Sequence, residues 1–211
     1  MSQWYLTQSL LSSWQHYLDA DDSYSDAAFS SFLLTLRREP KEVTPAMQAG
    51  IDFENAINIT VAGGVPESVN AKWDNAVKCF SVSCMGGQSQ TPVSGELHTA
   101  DMDFCLYGLC DYVKAGVIYD IKKVTRYEYG KYYHSPQHPM YLHLLSEATK
   151  FTYLIFDGSN IYRETYRRGD YTPIEDTISK FVRWLNEMNL MDDYKTYWSM
   201  TKERMEKVHG I

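Results

Sequence analysis

The sequence predicts a mixed α/β (α+β) protein, with a central mixed β-sheet of four or five strands flanked by helices on both sides. Three observations predict it. Residues 9–59 carry helical patterning, residues 93–124 switch to short β-rich runs joined by a tight turn, and residues 174–188 return to helical periodicity. Helices, a strand meander, a helix, a hairpin and then helices do not make a regular βαβ repeat.

Ser9 to Tyr17 reads as a helix, Asp19 to Asp26 as a loop and Ala27 to Arg38 as a second helix. After a turn around Glu39 to Pro45, Ala46 to Ile59 makes a third. Met47, Ile51, Glu54 and Asn58 share one face of it at three- and four-residue steps, while Asp52 faces away. Gly63-Gly64 is a break, Ser68 to Phe80 is helical, and Met85 to Pro92 is a loop rich in Gly, Gln and Ser. Val93 to Thr99, Phe104 to Val113 and Val117 to Val124 are strands, the last two joined through Lys114-Ala115-Gly116. Residues 127–149 form a helix whose start is made irregular by Pro136 and Pro139. Phe151 to Phe156 and Ile161 to Tyr166 pair as a hairpin through Asp157-Gly158-Ser159-Asn160. Finally Ile174, Ile178, Phe181, Leu185 and Met188 repeat at alternating steps of four and three, a helical stripe. One domain over 1–211 is expected, with helical additions at 1–60 and 173–211.

A chain of 211 residues, 44% hydrophobic, can bury a sizeable core without disulfides or metal. The N-terminal run has no basic region followed by an apolar stretch, and no window approaches 18 apolar residues. The expected location is therefore the cytoplasm, with no membrane partner. Cys79, Cys84, Cys105 and Cys110 are then expected to be reduced and to pack as small apolar residues, since zinc knuckles use tighter pairs. A formal charge of −7 argues against broad wrapping of nucleic acid. Residues 113–168 nevertheless hold Lys114, Lys122, Lys123, Arg126, Lys131, Lys150, Arg163, Arg167 and Arg168, enough for one positive cleft.

The chemistry is concentrated in residues 108–124. A hairpin brings Asp111, near the end of one strand, beside Asp120 on the returning strand. Asp120 and Lys122 are two apart and so share a face. Two acids and a lysine on one sheet face need pairing or a cation, because unpaired buried charge is costly. Phosphodiester hydrolysis is one use for them. The carboxylates and the carbonyl of Ile121 can hold a hard cation such as Mg²⁺, and Lys122 can stabilise charge on the reacting phosphate. A salt-bridged pair on an open sheet is the bland alternative.

Four motifs stand in order: Gly50 to Glu54, Gly108 to Asp111, Asp120 to Lys122, and Gln137-His138-Pro139-Met140-Tyr141. Together, over about residues 9 to 160, they resemble the RecB-type and phage exonuclease branch of the PD-(D/E)XK nuclease superfamily. The resemblance implies a restriction-endonuclease-like core and a single nuclease domain. It also implies a Mg²⁺-dependent (Mn²⁺ substituting) DNA exonuclease of phage or prophage recombination or DNA repair. Carried over, Glu54, Asp111 and Asp120 with Ile121 would be metal ligands and Lys122 the catalytic lysine. Gln137 and Tyr141, with the neighbouring Lys123 and Arg126, would contact DNA. His98, His134 and His138 lack the helical context of the family's metal histidine and are expected to be surface or packing groups. No cysteine precedes Cys79 or follows Cys110, so the iron–sulfur cluster of related exonucleases is not expected. DNA is the expected partner, and a homo-oligomer or a recombination partner protein stays open. An endonuclease of the same fold and an inactive DNA-binding module are the alternatives.

Overall fold

The structure is a computed structural model that describes residues 3–66, 70–100 and 102–209, the side chains of 202 and 207–209 excepted. The expected helix start at Ser68 lies outside the described residues. The elements in order are β1 (Gln3–Thr7), α1 (Gln8–Leu18), α2 (Ser25–Leu36), α3 (Pro45–Val61), a 3-10 turn (Ala71–Trp73), α4 (Asp74–Cys84), β2 (Gln88–His98), β3 (Asp103–Lys114) and β4 (Val117–Lys123). Then follow α5 (Gln137–Leu144), β5 (Lys150–Phe156), β6 (Ile161–Arg167), α6 (Ile174–Glu187), α7 (Met191–Trp198) and α8 (Lys202–His209).

The mixed sheet has six strands, with helices packed against it, which is the predicted class. The sixth strand is β1, which sequence patterning does not reveal. It has only five residues and runs straight into α1, whose first turn Thr7 caps by accepting from the Leu10 N–H. Two further expectations are corrected. Gln88 to Pro92 is strand rather than loop, because β2 pairs antiparallel with β3 from Gln88 to His98 with only Gln90 skipped. Pro92 is tolerated there because β2 is an edge strand, pairing only with β3. The helix expected over 127–149 shrinks to α5, whose chain enters it through Pro136. Pro139 sits in its first turn, where no backbone donor is required of it.

One arrangement governs the rest. Strand β3 gives β2 one whole edge and divides the other between two partners. Parallel β1 takes Asp103 to Tyr107, and antiparallel β4 takes Tyr112 to Lys114. Between them the edge forks, leaving residues 108–111 without a strand on that side. The turn closing β3 and β4 is as expected, with Ala115 at φ 49° and Gly116 at φ 74°, the left-handed pair of a two-residue hairpin. Strand β4 continues parallel to β5, and β5 pairs antiparallel with β6.

The core follows this plan. Phe53 and Ile57 of α3 and Phe80 of α4 pack on Tyr112, Ile121, Leu154 and Phe156 on one side of the sheet. Tyr141 and Leu142 of α5 pack with Ile118, Phe151, Tyr153 and Ile155 on the other. Covered on both faces, β5 is buried almost throughout. A third cluster joins β1, α1, α2, α6 and α7 through Leu6, Leu10, Phe32, Phe181 and Trp198.

Candidate active site

The candidate site lies at the fork. Asp111 stands where both ladders of β3 are interrupted: β4 begins one residue later, and across β2 the pairing skips Gln90, opposite Asp111. Its carboxylate takes the place of a backbone acceptor, receiving the Ile121 N–H at 2.8 Å. That hydrogen bond ties Asp111 to β4 just where the strands part.

On β4, alternation puts Asp120 and Lys122 on the same side, and Lys122 Nζ lies 2.6 Å from Asp120 Oδ2. Asp120 is almost fully buried, and Gln137 at the start of α5 donates its side-chain amide to Oδ1. Oδ2 is thus engaged by the Lys122 ammonium and Oδ1 by the Gln137 amide, so each carboxylate oxygen has one donor. Lys122 keeps about a third of its side chain exposed, and its ammonium lies 6.0 Å from the Tyr153 ring centre.

From α3, Glu54 reaches the same group of charges. It is half-buried and accepts from Gln90 Nε2 at 2.8 Å. Asn58, one turn on, receives the Tyr112 hydroxyl. Asp52 is exposed and bonded to Gln48, facing away as the helical stripe predicts. Met47 and Ile51, placed on the same face as Glu54 by periodicity, are exposed, and α3 instead buries Phe53, Ala56 and Ile57.

Electrostatics mark the site as short of positive charge. Burial and the neighbouring Asp120 push the proton affinity of Asp111 well above the ordinary aspartate value. Burial likewise raises Asp120 against the opposing pull of Lys122 and Gln137. Glu54 is raised by burial and by Asp120. Burial works against the Lys122 ammonium, but Asp120 and Asp111 outweigh it and hold the proton more firmly than usual. Three carboxylates thus sense one another with a single ammonium among them, a deficit that a divalent cation would fill. Among the described residues, no three His, Cys, Asp or Glu side chains form a ready-made metal cage. A magnesium site does not need one, since it is commonly built from one or two carboxylates, water and substrate phosphate.

The remaining candidates divide. Gln137 is buried and engaged with Asp120, so it belongs to the carboxylate site and not to an exposed surface. Tyr141 is corrected more strongly. It is buried, and its hydroxyl donates to the Leu109 carbonyl (3.0 Å) and accepts from the Leu109 N–H (3.2 Å), so it braces the fork and has nothing left for DNA. Gly108 is glycine for the same reason, because a Cβ there would lie 2.0 Å from Tyr141 Cε1. Lys123 sits over the Trp73 ring, and Arg126 is exposed beside Glu128. His98 is exposed against Asp103 and Glu96, and His134 is exposed against Tyr133. His138 is fully buried and stacked on Tyr166. Cys84, Cys105 and Cys110 are buried free thiols.

Gln90 is the site residue that sequence reasoning missed. Its φ of 48° is left-handed, a rare state for a non-glycine residue in a strand, and it carries the amide that holds Glu54. The Thr-Pro-Val run directly after it is the local sign of an edge strand, masked by the Gly, Gln and Ser before it.

No protein-family profile matches the sequence, and no curated protein is significantly similar to it. Among solved structures, the chain is similar to the crystal structure of SSO0001, with a TM-score of 0.53. The two are 13% identical over 85% of this chain and 76% of that one, so the likeness is one of fold. No helix among the described residues is long and apolar enough to cross a membrane.

Proposed function

We propose that this chain is a Mg²⁺-dependent deoxyribonuclease, an exonuclease with a single restriction-endonuclease-like domain acting in the cytoplasm. The observation that carries the reading is the meeting of Asp111, Asp120 and Lys122 at the fork of β3, with Gln137 fixing Asp120. The ordered motifs that resemble the PD-(D/E)XK superfamily support it, since all four contribute charged or amide groups to this one place.

Asp111, Asp120 and the Ile121 carbonyl would hold the cation, with Glu54 the further carboxylate in reach. The raised proton affinity of the carboxylates, gathered with one ammonium, fits such a role. Bound Mg²⁺ supplies charge neutralisation at the phosphate and acidifies a water. Lys122, held as ammonium, offers fixed positive charge to the reacting phosphate oxygens. Gln137 keeps Asp120 from rotating, and Gln90 does the same for Glu54.

The test is degradation of end-labelled linear DNA and closed circular DNA with Mg²⁺ or Mn²⁺ and with EDTA, for wild type and Lys122→Ala. Loss of linear DNA alone, dependent on metal and abolished in the variant, is expected. Cutting of the circle makes the protein an endonuclease of the same fold. No cutting of either favours a binding module, the reading that the acidic net charge motivates. Lys122→Ala that still degrades DNA would sink the assigned site.

A further inference from the structure

The connection from β4 to α5 leaves the sheet directly after Lys122 and Lys123 and enters the helix at Gln137, so both of its ends are residues of the candidate site. Residues 122–135 carry four cations (Lys122, Lys123, Arg126 and Lys131) against one carboxylate, Glu128, in a chain of net charge −7. The same stretch holds four tyrosines, Tyr127, Tyr129, Tyr132 and Tyr133.

These tyrosines do two different things. Tyr127 and Tyr132 face inward. Glu164 on β6, 2% exposed, accepts from the Tyr127 hydroxyl, from the Tyr166 hydroxyl and from the Tyr132 N–H at 3.3 Å. The Tyr132 ring stacks on Tyr153 at 4.4 Å, which places it beside the Lys122 ammonium. Successive turns, with Lys131 N–H on Glu128 O, Tyr133 N–H on Gly130 O and Ser135 N–H on Tyr132 O, give the segment a fixed shape. Tyr129 and Tyr133 face outward instead, 87% and 50% exposed. Arg126 and Lys131 share a 510 Å³ surface cavity with Tyr129. Tyr133 keeps one edge against Tyr166 and His134, but packing gives no reason for the Tyr129 ring to be held in water on a braced loop. Rings beside cations are what a nucleic-acid strand with unpaired bases requires, the rings stacking on bases and the cations meeting phosphates.

The geometry points to this loop as a docking surface for single-stranded DNA, with Tyr129 and Tyr133 as stacking platforms and Arg126, Lys131 and Lys123 as phosphate contacts. It rests on the nuclease reading for the kind of partner, and it adds that the site receives its substrate as a single strand. In a duplex the base faces are already stacked on one another and cannot engage the rings. Because the loop is anchored by Glu164 and Tyr153, the backbone that carries the two rings is set before DNA arrives, and binding does not have to order it.

Fluorescence anisotropy with a 5′-fluorescein (dT)15 strand and with a blunt duplex of equal length, both in EDTA, tests this without hydrolysis. The full chain is compared with Tyr129→Ala, Tyr133→Ala and the corresponding Phe variants, each checked by thermal melting. Each Ala variant is expected to lose about tenfold in affinity for the single strand. The Phe variants keep it, and the loss on the duplex is at least fivefold smaller. Wild type that fails to bind (dT)15, Ala variants that bind it like wild type, or equal losses on strand and duplex each overturn the proposal. Hydrolysis by Lys122→Ala reports on the nuclease reading alone, so the two can fail separately.

Discussion

The hydroxyl of Tyr141 and the backbone of Leu109 hold each other as a pair of strands would, the hydroxyl donating to the carbonyl and accepting from the N–H. The contact sits where β3 has lost its neighbour, between the end of β1 and the start of β4. Tyr141 therefore substitutes for a missing stretch of strand, and its ring needs Gly108 beneath it. Tyr141→Phe keeps the ring and removes both hydrogen bonds, at a cost of about 1–2 kcal/mol. Gly108→Ala forces the ring off the strand and costs about 1–3 kcal/mol, as overpacking does. Urea denaturation measures both. Wild-type stability in Tyr141→Phe would show that the bracing role is wrong.

Asp111 gives a pH dependence with a definite sign. Its folded-state proton affinity lies above the ordinary 3.8, so the native state binds more protons than the unfolded chain at pH values just above that. Stability of the metal-free protein from this group is fully present below the ordinary value and is lost as pH rises through the raised one. Asp111→Asn, which still accepts from Ile121, should raise the Tm of metal-free protein at pH 8 and remove any stabilisation by Mg²⁺. A lower Tm at pH 8 would mean that the carboxylate charge is compensated already.

Gln90 separates stability from activity. Gln90→Gly relieves a left-handed backbone and releases Glu54 from its amide. The expected variant is as stable as wild type or more so by about 1 kcal/mol, with a several-fold drop in metal-dependent turnover. Gln90→Ala lacks the compensating relief and should lose both. Equal turnover in all three would remove Gln90 from the site.

His138 works in the opposite pH direction from Asp111. Burial against Tyr166 drives its pKa down to about 3, so it stays neutral in the folded protein while the unfolded chain takes up a proton below about 6.5. Stability from this group is complete above that value and is lost as pH falls towards 3. His138→Phe removes the proton uptake and leaves Tyr153 its hydrogen bond to Ser135. Its acid unfolding midpoint should move to lower pH, with little change at pH 8. An unmoved midpoint would show that His138 does not limit acid stability.

Much of this was legible in the sequence where the pattern was local. The hairpin that sets Asp111 beside Asp120 follows from two β-rich runs joined by a turn, and the Asp120–Lys122 contact follows from strand alternation. The fork was not legible, because it depends on a parallel partner 100 residues away and only five residues long. Nor was the anchored loop after β4, where a helix was expected. The tyrosines and Pro136 at 127–136 gave no period of their own, and the segment takes its shape from Glu164 on β6, two strands later. Gln137 and Tyr141 were found as a pair, yet their motif spacing could not show that one serves a carboxylate and the other a backbone gap.

Among the described strands β2 pairs with β3 alone, so its other side is a sheet edge. Such an edge invites copies of the protein to zip together. Pro92 withholds one donor from that edge, and Gln90, left-handed and unpaired with β3, interrupts the strand two residues earlier. The interruption that discourages self-association is also the one that delivers an amide to Glu54. A single irregular residue therefore guards the outside of the sheet and furnishes its interior, and flattening it to improve the strand would trade chemistry for stickiness.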